Sequence, residues 1–308
     1  EDRPCNDCKS GEHGKDDHDD VHRTPVVLSK RIETHSQHGN RARRVSTVTG
    51  VTWLKSESSD GIRWLRIDRP HRKNAIPFDG WLLLAELLVE FENSDDRVLV
   101  ITGVGGEFCA GADLDADRSG ITSVSEAHRR MKVVERAATA LYRTTKPTIA
   151  AVDGVAVGAG MNLALGCDVV IATERARFSE IFVRRGLTVD FGGTWLLPRV
   201  VGLQRAKELA LSGRIVPAHE AQRLGIAMDV VPVEHLPERV TEVARSFLAG
   251  APIAQMFAKQ GLNASFESSF AESVSWEGQS QAIALGTEDV IEGVSAFLEK
   301  RDPKWKGH

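Results

Sequence analysis

Thr148-Ile149-Ala150-Ala151-Val152-Asp153-Gly154-Val155-Ala156-Val157-Gly158-Ala159-Gly160-Met161-Asn162 is the stretch on which the fold turns. Its first five residues form a short unbroken apolar run, the pattern of a strand covered on both faces. Glycines and alanines fill the loop that follows, and Met161 to Leu165 is apolar and reads as a helix start. A buried strand, a glycine-rich loop and a helix in immediate succession make an α/β unit with a crossover connection. Small residues at such a junction let a ligand come close to the backbone. The N–H groups that open the helix have no helical partner, which makes them donors suited to an oxyanion. Glycine serves close helix–strand packing equally well, so one such loop by itself reads more readily as packing.

A second loop of the same kind lies upstream. Val98-Leu99-Val100-Ile101 is another buried strand, and Glu107-Phe108-Cys109-Ala110-Gly111-Ala112-Asp113-Leu114 follows it. Neither loop carries the dinucleotide fingerprint or the phosphate-binding P-loop spacing, and the chain has no G-x-S-x-G elbow.

Further out, Ile62 to Ile67 alternates as a strand and stops at Arg69-Pro70, where the residue before proline is pushed out of the helical region. Phe78 to Phe91 has apolar residues at helical spacing (Trp81, Leu84, Leu87, Leu88). Ser123 to Tyr142 is helical and Val169 to Ala172 is a further strand. Beyond Gly192 strands nearly cease. Helices are expected from Gln204, Pro217, Leu236, Pro252, Phe270 and Thr287, in a region with no sheet of its own that covers the core or packs on a neighbouring subunit. No repeat of fixed period is present. The plan is an extension over residues 1–48, an α/β core over 49–245 and a C-terminal helical region over 246–308.

Composition narrows the function. The 308 residues are 42% hydrophobic and 27% charged with a net charge of −4, ordinary for a globular chain and without the basic footprint of a nucleic-acid binder. No apolar run approaches the length of a membrane span. The extension has an acidic cluster (Asp16, Asp17, Asp19, Asp20), a basic one (Arg41, Arg43, Arg44) and few apolar residues, and reads as disordered or loosely docked. Cys5, Cys8, His13 and His18 lie in it at spacings too short for a zinc finger, so no metal site is expected. Cys109 and Cys167 sit in apolar, glycine-rich contexts as packing residues. Without a disulfide framework or an apolar leader, the expectation is a cytoplasmic protein.

Ile67-Asp68-Arg69-Pro70 through Asn74-Ala75, Phe108 through Leu114, Lys146-Pro147 through Gly160, Gly166-Cys167-Asp168, Gly192-Gly193-Thr194 through Gly202, and Phe297-Leu298-Glu299-Lys300-Arg301 occur in that order. Together they resemble the crotonase (enoyl-CoA hydratase/isomerase) superfamily from about residue 50 to the end. The resemblance implies a spiral of ββα units with a C-terminal helical region that builds trimers, often paired into hexamers. It implies an acyl-CoA thioester as substrate with no other cofactor. It implies two backbone donors to the thioester oxygen, the amides of Ala112 and Ala159. It further implies coenzyme A near Asn74, Ala75, Ala110, Gly111 and Asp113, substrate contacts at Gly158 and Phe182, and Phe297 and Lys300 reaching a neighbour's coenzyme A. Asp113 also reads as a cap or loop anchor.

Two departures matter. Family hydratases carry two glutamates, and the matching positions here are Asn162 and Phe182, neither of which ionises. Asp190 stands where some family isomerases have a catalytic aspartate, between apolar Val189 and Phe191, which would raise its pKa. Moving a double bond needs one base, so isomerisation with Asp190 as proton shuttle is expected. Without the resemblance, Asp190 would read as the N-cap of the helix from Gly192. Glu180 is a spare carboxylate; as a strand residue it would face the same side as Phe182 and could drive hydration instead. A non-catalytic acyl-CoA-binding protein is the third reading. Phe182, Phe191 and Trp195 hint at an aromatic acyl pocket, although core packing explains them as easily.

Overall fold

The structure, a computed structural model, describes residues 44–46, 53–117 and 122–308. The cysteine–histidine group and most of the expected 1–48 extension therefore lie outside the described residues; Arg44–Ser46 is a short strand, β1. The chain continues through β2 (Leu54–Ser59), β3 (Ile62–Ile67), α1 (Phe78–Glu92), β4 (Val98–Gly103), α2 (Leu114–Asp117) and α3 (Val124–Arg143). Next come β5 (Thr148–Val152), β6 (Val155–Val157), α4 (Ala159–Leu165), β7 (Val169–Thr173), β8 (Arg177–Ser179), α5 (Gly193–Val201) and α6 (Leu203–Ser212). The last part holds β9 (Val216–Pro217), α7 (Ala218–Leu224), β10 (Asp229–Val231), α8 (Leu236–Leu248), α9 (Pro252–Ala264), α10 (Phe270–Leu285) and α11 (Glu288–Glu299).

The large sheet has seven strands in the order β1-β2-β3-β4-β5-β7-β10. Its first three strands pair antiparallel and the rest parallel. Alternation along each central strand divides the core. Leu99, Ile101, Ala150, Val152, Val170 and Ala172 face α1, α3 and α4, whereas Val98, Val100, Ile149, Ala151 and Ile171 face Leu236, Val240, Val243 and Ala244 of α8. Both faces are covered, which is why these strands read as unbroken apolar runs.

A second, three-stranded sheet runs β6-β8-β9. The chain passes from the large sheet to the small one and on toward a helix twice in succession: β5, β6, α4 and then β7, β8, α5. Two isolated bridges, Cys109 to Ala156 and Ile76 to Ala112, carry the same path back through β4 with α2 and β3 with α1. The architecture is thus a spiral of ββα turns, and equivalent strand-to-helix junctions of successive turns lie side by side.

Beyond Gly192 only two short strands occur among the described residues, β9 in the small sheet and β10 at the parallel edge of the large one, and α8 covers one face of the large sheet. The boundary expected at 245 falls inside α8, where Phe247 and Leu248 still pack against the sheet. Among the described residues no helix is long and apolar enough to cross a membrane.

Candidate active site

The two glycine-rich loops meet because they occupy neighbouring turns of the spiral. Cys109 donates its N–H to Val155 O at 2.9 Å, and Val157 returns one to Cys109 O at 3.0 Å. Glu107 clamps the pair, its Oε2 accepting from Val155 N at 2.7 Å. Glycine is required where the loops touch. Gly111 has φ +89°, and a side chain there would begin 2.8 Å from Val157 O and 3.4 Å from the amide nitrogen of Ala159. A methyl on Gly160 would fall 2.8 Å from the Cys109 carbonyl carbon and closer still to its oxygen.

Beside this contact two amides donate to no protein group among the described hydrogen bonds. Ala110 N donates to Lys73 O and Asp113 N to Ile76 O, but Ala112 between them donates to no protein group among the described hydrogen bonds. Gly158 N donates to Ser179 O at 2.8 Å, and the next amide, Ala159, leads α4, where no preceding turn offers a carbonyl. Glycine at 158 is needed because φ is +57° and ψ −129°, a conformation closed to other residues. The ring of Phe182 lies 3.6 Å from where a Gly158 side chain would start, so Phe182 does stand beside this junction.

One turn into α4, Asn162 is fully buried. Its Nδ2 donates to the backbone oxygen of Asp190 at 2.9 Å and lies 3.4 Å from Oε2 of Glu180. The side chain of Asn162 passes so close to Gly193 that a methyl there could not fit. Asn162 Oδ1, Glu180 Oε1 and Asp190 Oδ1 are out of solvent with no hydrogen-bond partner among the described residues. Burial pushes the Asp190 carboxyl up to about 6. Burial also pushes Glu180 up to about 8, with the nearby charge of Asp190 adding to the rise and the Asn162 hydrogen bond opposing it. At neutral pH one carboxyl is mostly ionised and the other mostly protonated, the arrangement that separates a base from an acid.

Several expected residues take other places. Asp190 does not cap α5 through its side chain: Gly192, with φ +80°, is the N-cap, and Asp190 supplies its carbonyl to Gly193 N at 3.0 Å. Glu180 is not a strand residue, because β8 ends at Ser179 and Glu180 leads the 3₁₀ turn Ile181–Arg185. Its carboxyl therefore meets Asn162 rather than alternating with Phe182. Phe191 turns into the core, 5.2 Å from Trp81, with φ +49°. Trp195 stacks under Arg199, edges against Tyr142 and donates to Glu267. Phe191 and Trp195 thus have packing roles of their own.

Asn74 is fully buried and its side chain is spent on the loop: Oδ1 accepts from Arg69 N at 2.8 Å, and Nδ2 donates to Val104 O and Glu107 O. Ala75 is buried, and its carbonyl accepts from Arg69. Asp113 pairs with Arg69 at 2.9 Å, the loop-anchor role. Of this segment's expected residues, Ala110 is partly exposed, whereas the Asn74, Ala75 and Asp113 side chains are buried. Asn74→Ala is accordingly expected to lower stability by about 2–3 kcal/mol, through unpaired buried groups, in a urea unfolding titration. Phe297 and Lys300 are exposed at the end of α11. Cys109 and Cys167 are buried free thiols; burial pushes Cys109 up to about 12 and Cys167 higher, so neither is a nucleophile near neutral pH. The signal that sequence reading underused was Asn162, whose value lies in the two carboxyl-bearing segments it ties together.

A spiral of ββα turns whose two glycine-rich junctions lie side by side, with Asn162 one turn into α4 meeting Glu180 and the Asp190 backbone, defines a crotonase-type protein. The profile of the enoyl-CoA hydratase/isomerase family matches residues 57–308. The 1,2-epoxyphenylacetyl-CoA isomerase of Escherichia coli K12 is 38% identical over 262 residues, 83% of this chain and 99% of that protein. The 2,3-dehydroadipyl-CoA hydratase of the same organism is 37% identical over 79% of this chain and 94% of its own. Among solved structures, an enoyl-CoA hydratase from Bacillus anthracis superposes with a TM-score of 0.80 at 30% identity, covering 83% of this chain and all of that one. An enoyl-CoA hydratase/isomerase from Cupriavidus metallidurans CH34 reaches 0.76 at 39% identity, over 83% of this chain and 96% of its own. The chain belongs to the enoyl-CoA hydratase/isomerase family and is an acyl-CoA enzyme of that family.

Proposed function

We propose that this enzyme moves the double bond of an enoyl-CoA thioester, with Asp190 as the proton shuttle. The thioester oxygen of a 3-enoyl-CoA accepts from the amides of Ala112 and Ala159. The Asp190 carboxylate takes a proton from the carbon next to the carbonyl, and the electron pair moves onto the thioester oxygen. The proton then returns from Asp190 to the far carbon of the former double bond, giving the conjugated 2-enoyl product. Each amide contributes about 3 kcal/mol by stabilising the enolate oxygen. The thioester supplies its own activation, and no further cofactor enters.

The observation that carries this reading is the half-buried Asp190, its Oδ1 out of solvent and unpartnered among the described residues and its carboxyl pushed up to about 6, in a site where both expected glutamate positions hold Asn162 and Phe182. The relative at 38% identity is an isomerase by name, of an epoxide rather than an enoyl thioester, and the one at 37% is a hydratase, so the Asp190 geometry and not the relatives carries the choice. The test is incubation with 2-enoyl-, 3-enoyl- and arylacetyl-CoA thioesters in deuterium oxide, read by mass spectrometry. Isomerised product with exchange next to the carbonyl is expected; addition of water without isomerisation would overturn the reading. The rate should also rise with pH through about 6, because the base works only when ionised; a kcat profile that is flat across that range counts against Asp190. Hydration through Glu180 is the second reading, favoured by its unpartnered Oε1. Loss of water addition in Glu180→Gln, with Asp190→Asn still active, would establish it.

The C-terminal helices leave Phe266, Phe270, Ile291, Phe297 and Leu298 largely exposed, more apolar surface than a lone chain comfortably shows water. This supports a homotrimer or hexamer in which Phe297 and Lys300 meet a neighbouring copy, measurable by sedimentation equilibrium. The buried free thiols support a cytoplasmic setting.

A further inference from the structure

Asn162 joins two carboxyl-bearing segments that the chain keeps apart. Glu180 leads the 3₁₀ turn after β8, and Asp190 precedes α5. Glu180 is fully buried and its Oε1 meets no donor among the described residues. A carboxylate in that position would have the long Asn162 hydrogen bond to Oε2 but no counter-charge. Among the described residues no cation pairs with it. Helix α4 brings only Asn162. Of the basic groups on the turn itself, Arg184 donates away to Ser212 O and Arg185 is exposed. The loop after α6 approaches through Gly213, and the adjacent Arg214 is held by Glu208 and Glu220. Among the described residues the charged group that bears on Glu180 is Asp190, which carries the same sign.

We propose that Glu180 is a positioning residue of this site that must keep its proton for the site to work: neutral, it lets Asn162 hold the Asp190 loop in place, and ionised, it sets a second negative charge beside the base and the enolate. The inference rests on the reading of Asp190 as the base. The rise of Glu180 to about 8 fits it. The sign follows from the protonation states. Asp190 must lose its proton, so activity grows through about 6. Glu180 must retain its proton, so activity declines through about 8. The profile is a bell with two separately assignable limbs.

The experiment measures kcat/KM for 3-hexenoyl-CoA from about pH 5 to pH 9.5 in the wild type, Glu180→Gln and Asp190→Asn. Glu180→Gln should keep the acid limb and lose the alkaline one, so that near pH 9 it outperforms the wild type about tenfold relative to each enzyme's plateau. An alkaline limb unchanged in Glu180→Gln overturns the proposal, while the acid limb and an inactive Asp190→Asn would leave the Asp190 reading standing. A second measurement needs no turnover and no folded Glu180 variant. The infrared carbonyl band of a protonated carboxylic acid, recorded on the resting wild type, should persist at neutral pH, fall to half near pH 8 and be lost well above it. In Asp190→Asn the band should titrate at lower pH, because the like charge is gone. Absence of the band at neutral pH in the wild type overturns the proposal whatever Asp190 does.

Discussion

Asp190→Asn is expected to lower kcat for a 3-enoyl-CoA by about 10²–10⁴-fold, the range for removing a positioned acid–base group, while thioester affinity stays within about twofold of wild type. The substitution keeps the shape of the side chain, and the backbone carbonyl that accepts from Asn162 and Gly193 is untouched. It therefore removes the base without moving the loop. A stability measurement separates this loss from misfolding. Burial raises the Asp190 pKa to about 6, against an ordinary value of about 3.9 in an unfolded chain. The folded state then binds the proton more tightly than the unfolded one. The resulting penalty is absent below the unfolded value, grows as pH rises between the two, and is fully present above about 6. Asp190→Asn lacks that penalty, so at neutral pH it should melt higher than the wild type while being nearly inactive. A variant that is inactive and also melts lower would mean that the loop had collapsed, and one that retains turnover would remove Asp190 from the mechanism.

The second large effect belongs to a residue with no functional group. Gly160→Ala puts a methyl against the carbonyl of Cys109, 2.8 Å from its carbon. Both partners are main chain, so neither can swing aside, and the loops carrying Ala112 and Ala159 must separate. Overpacking of this kind costs about 1–3 kcal/mol of stability. Loss of one donor from the thioester oxygen lowers kcat about 10²–10³-fold. Ala159→Gly provides the contrast. It leaves the donating amide in place and should keep kcat within about twofold. Steady-state kinetics and thermal melts of the two variants together test whether backbone donors, rather than side chains, act at this junction. Equal damage from both would refute it.

The elements were largely legible in the sequence because each rests on local chemistry. Val98 to Ile101 and Thr148 to Val152 are apolar without interruption since both faces of the sheet are covered. Phe78 to Phe91 and Ser123 to Tyr142 show helical spacing because one face of each meets that sheet. The glycines of the two loops were visible as well, and the ordered motifs pointed to the family. Which amides are left over was not legible: Ala110, Asp113, Val157 and Gly158 are paired across turns of the spiral, whereas Ala112 and Ala159 donate to no protein group among the described hydrogen bonds.

Side-chain roles divide the same way. That Asp190 sits among apolar neighbours can be read from Val189 and Phe191. That Phe191 instead turns to Trp81, that Asn74 is consumed by its own loop, and that Glu180 leaves the strand to meet Asn162 cannot. Residue types and their periodicity set which segments become strands and helices and where glycine is compulsory, because those outcomes depend on neighbours a few positions away. The tertiary structure alone decided which polar atoms went unsatisfied and which carboxyls came to share a buried site. Hydrogen-bond pairing and desolvation are settled by contacts tens of residues apart in the chain, as between 109 and 155 or 162 and 190.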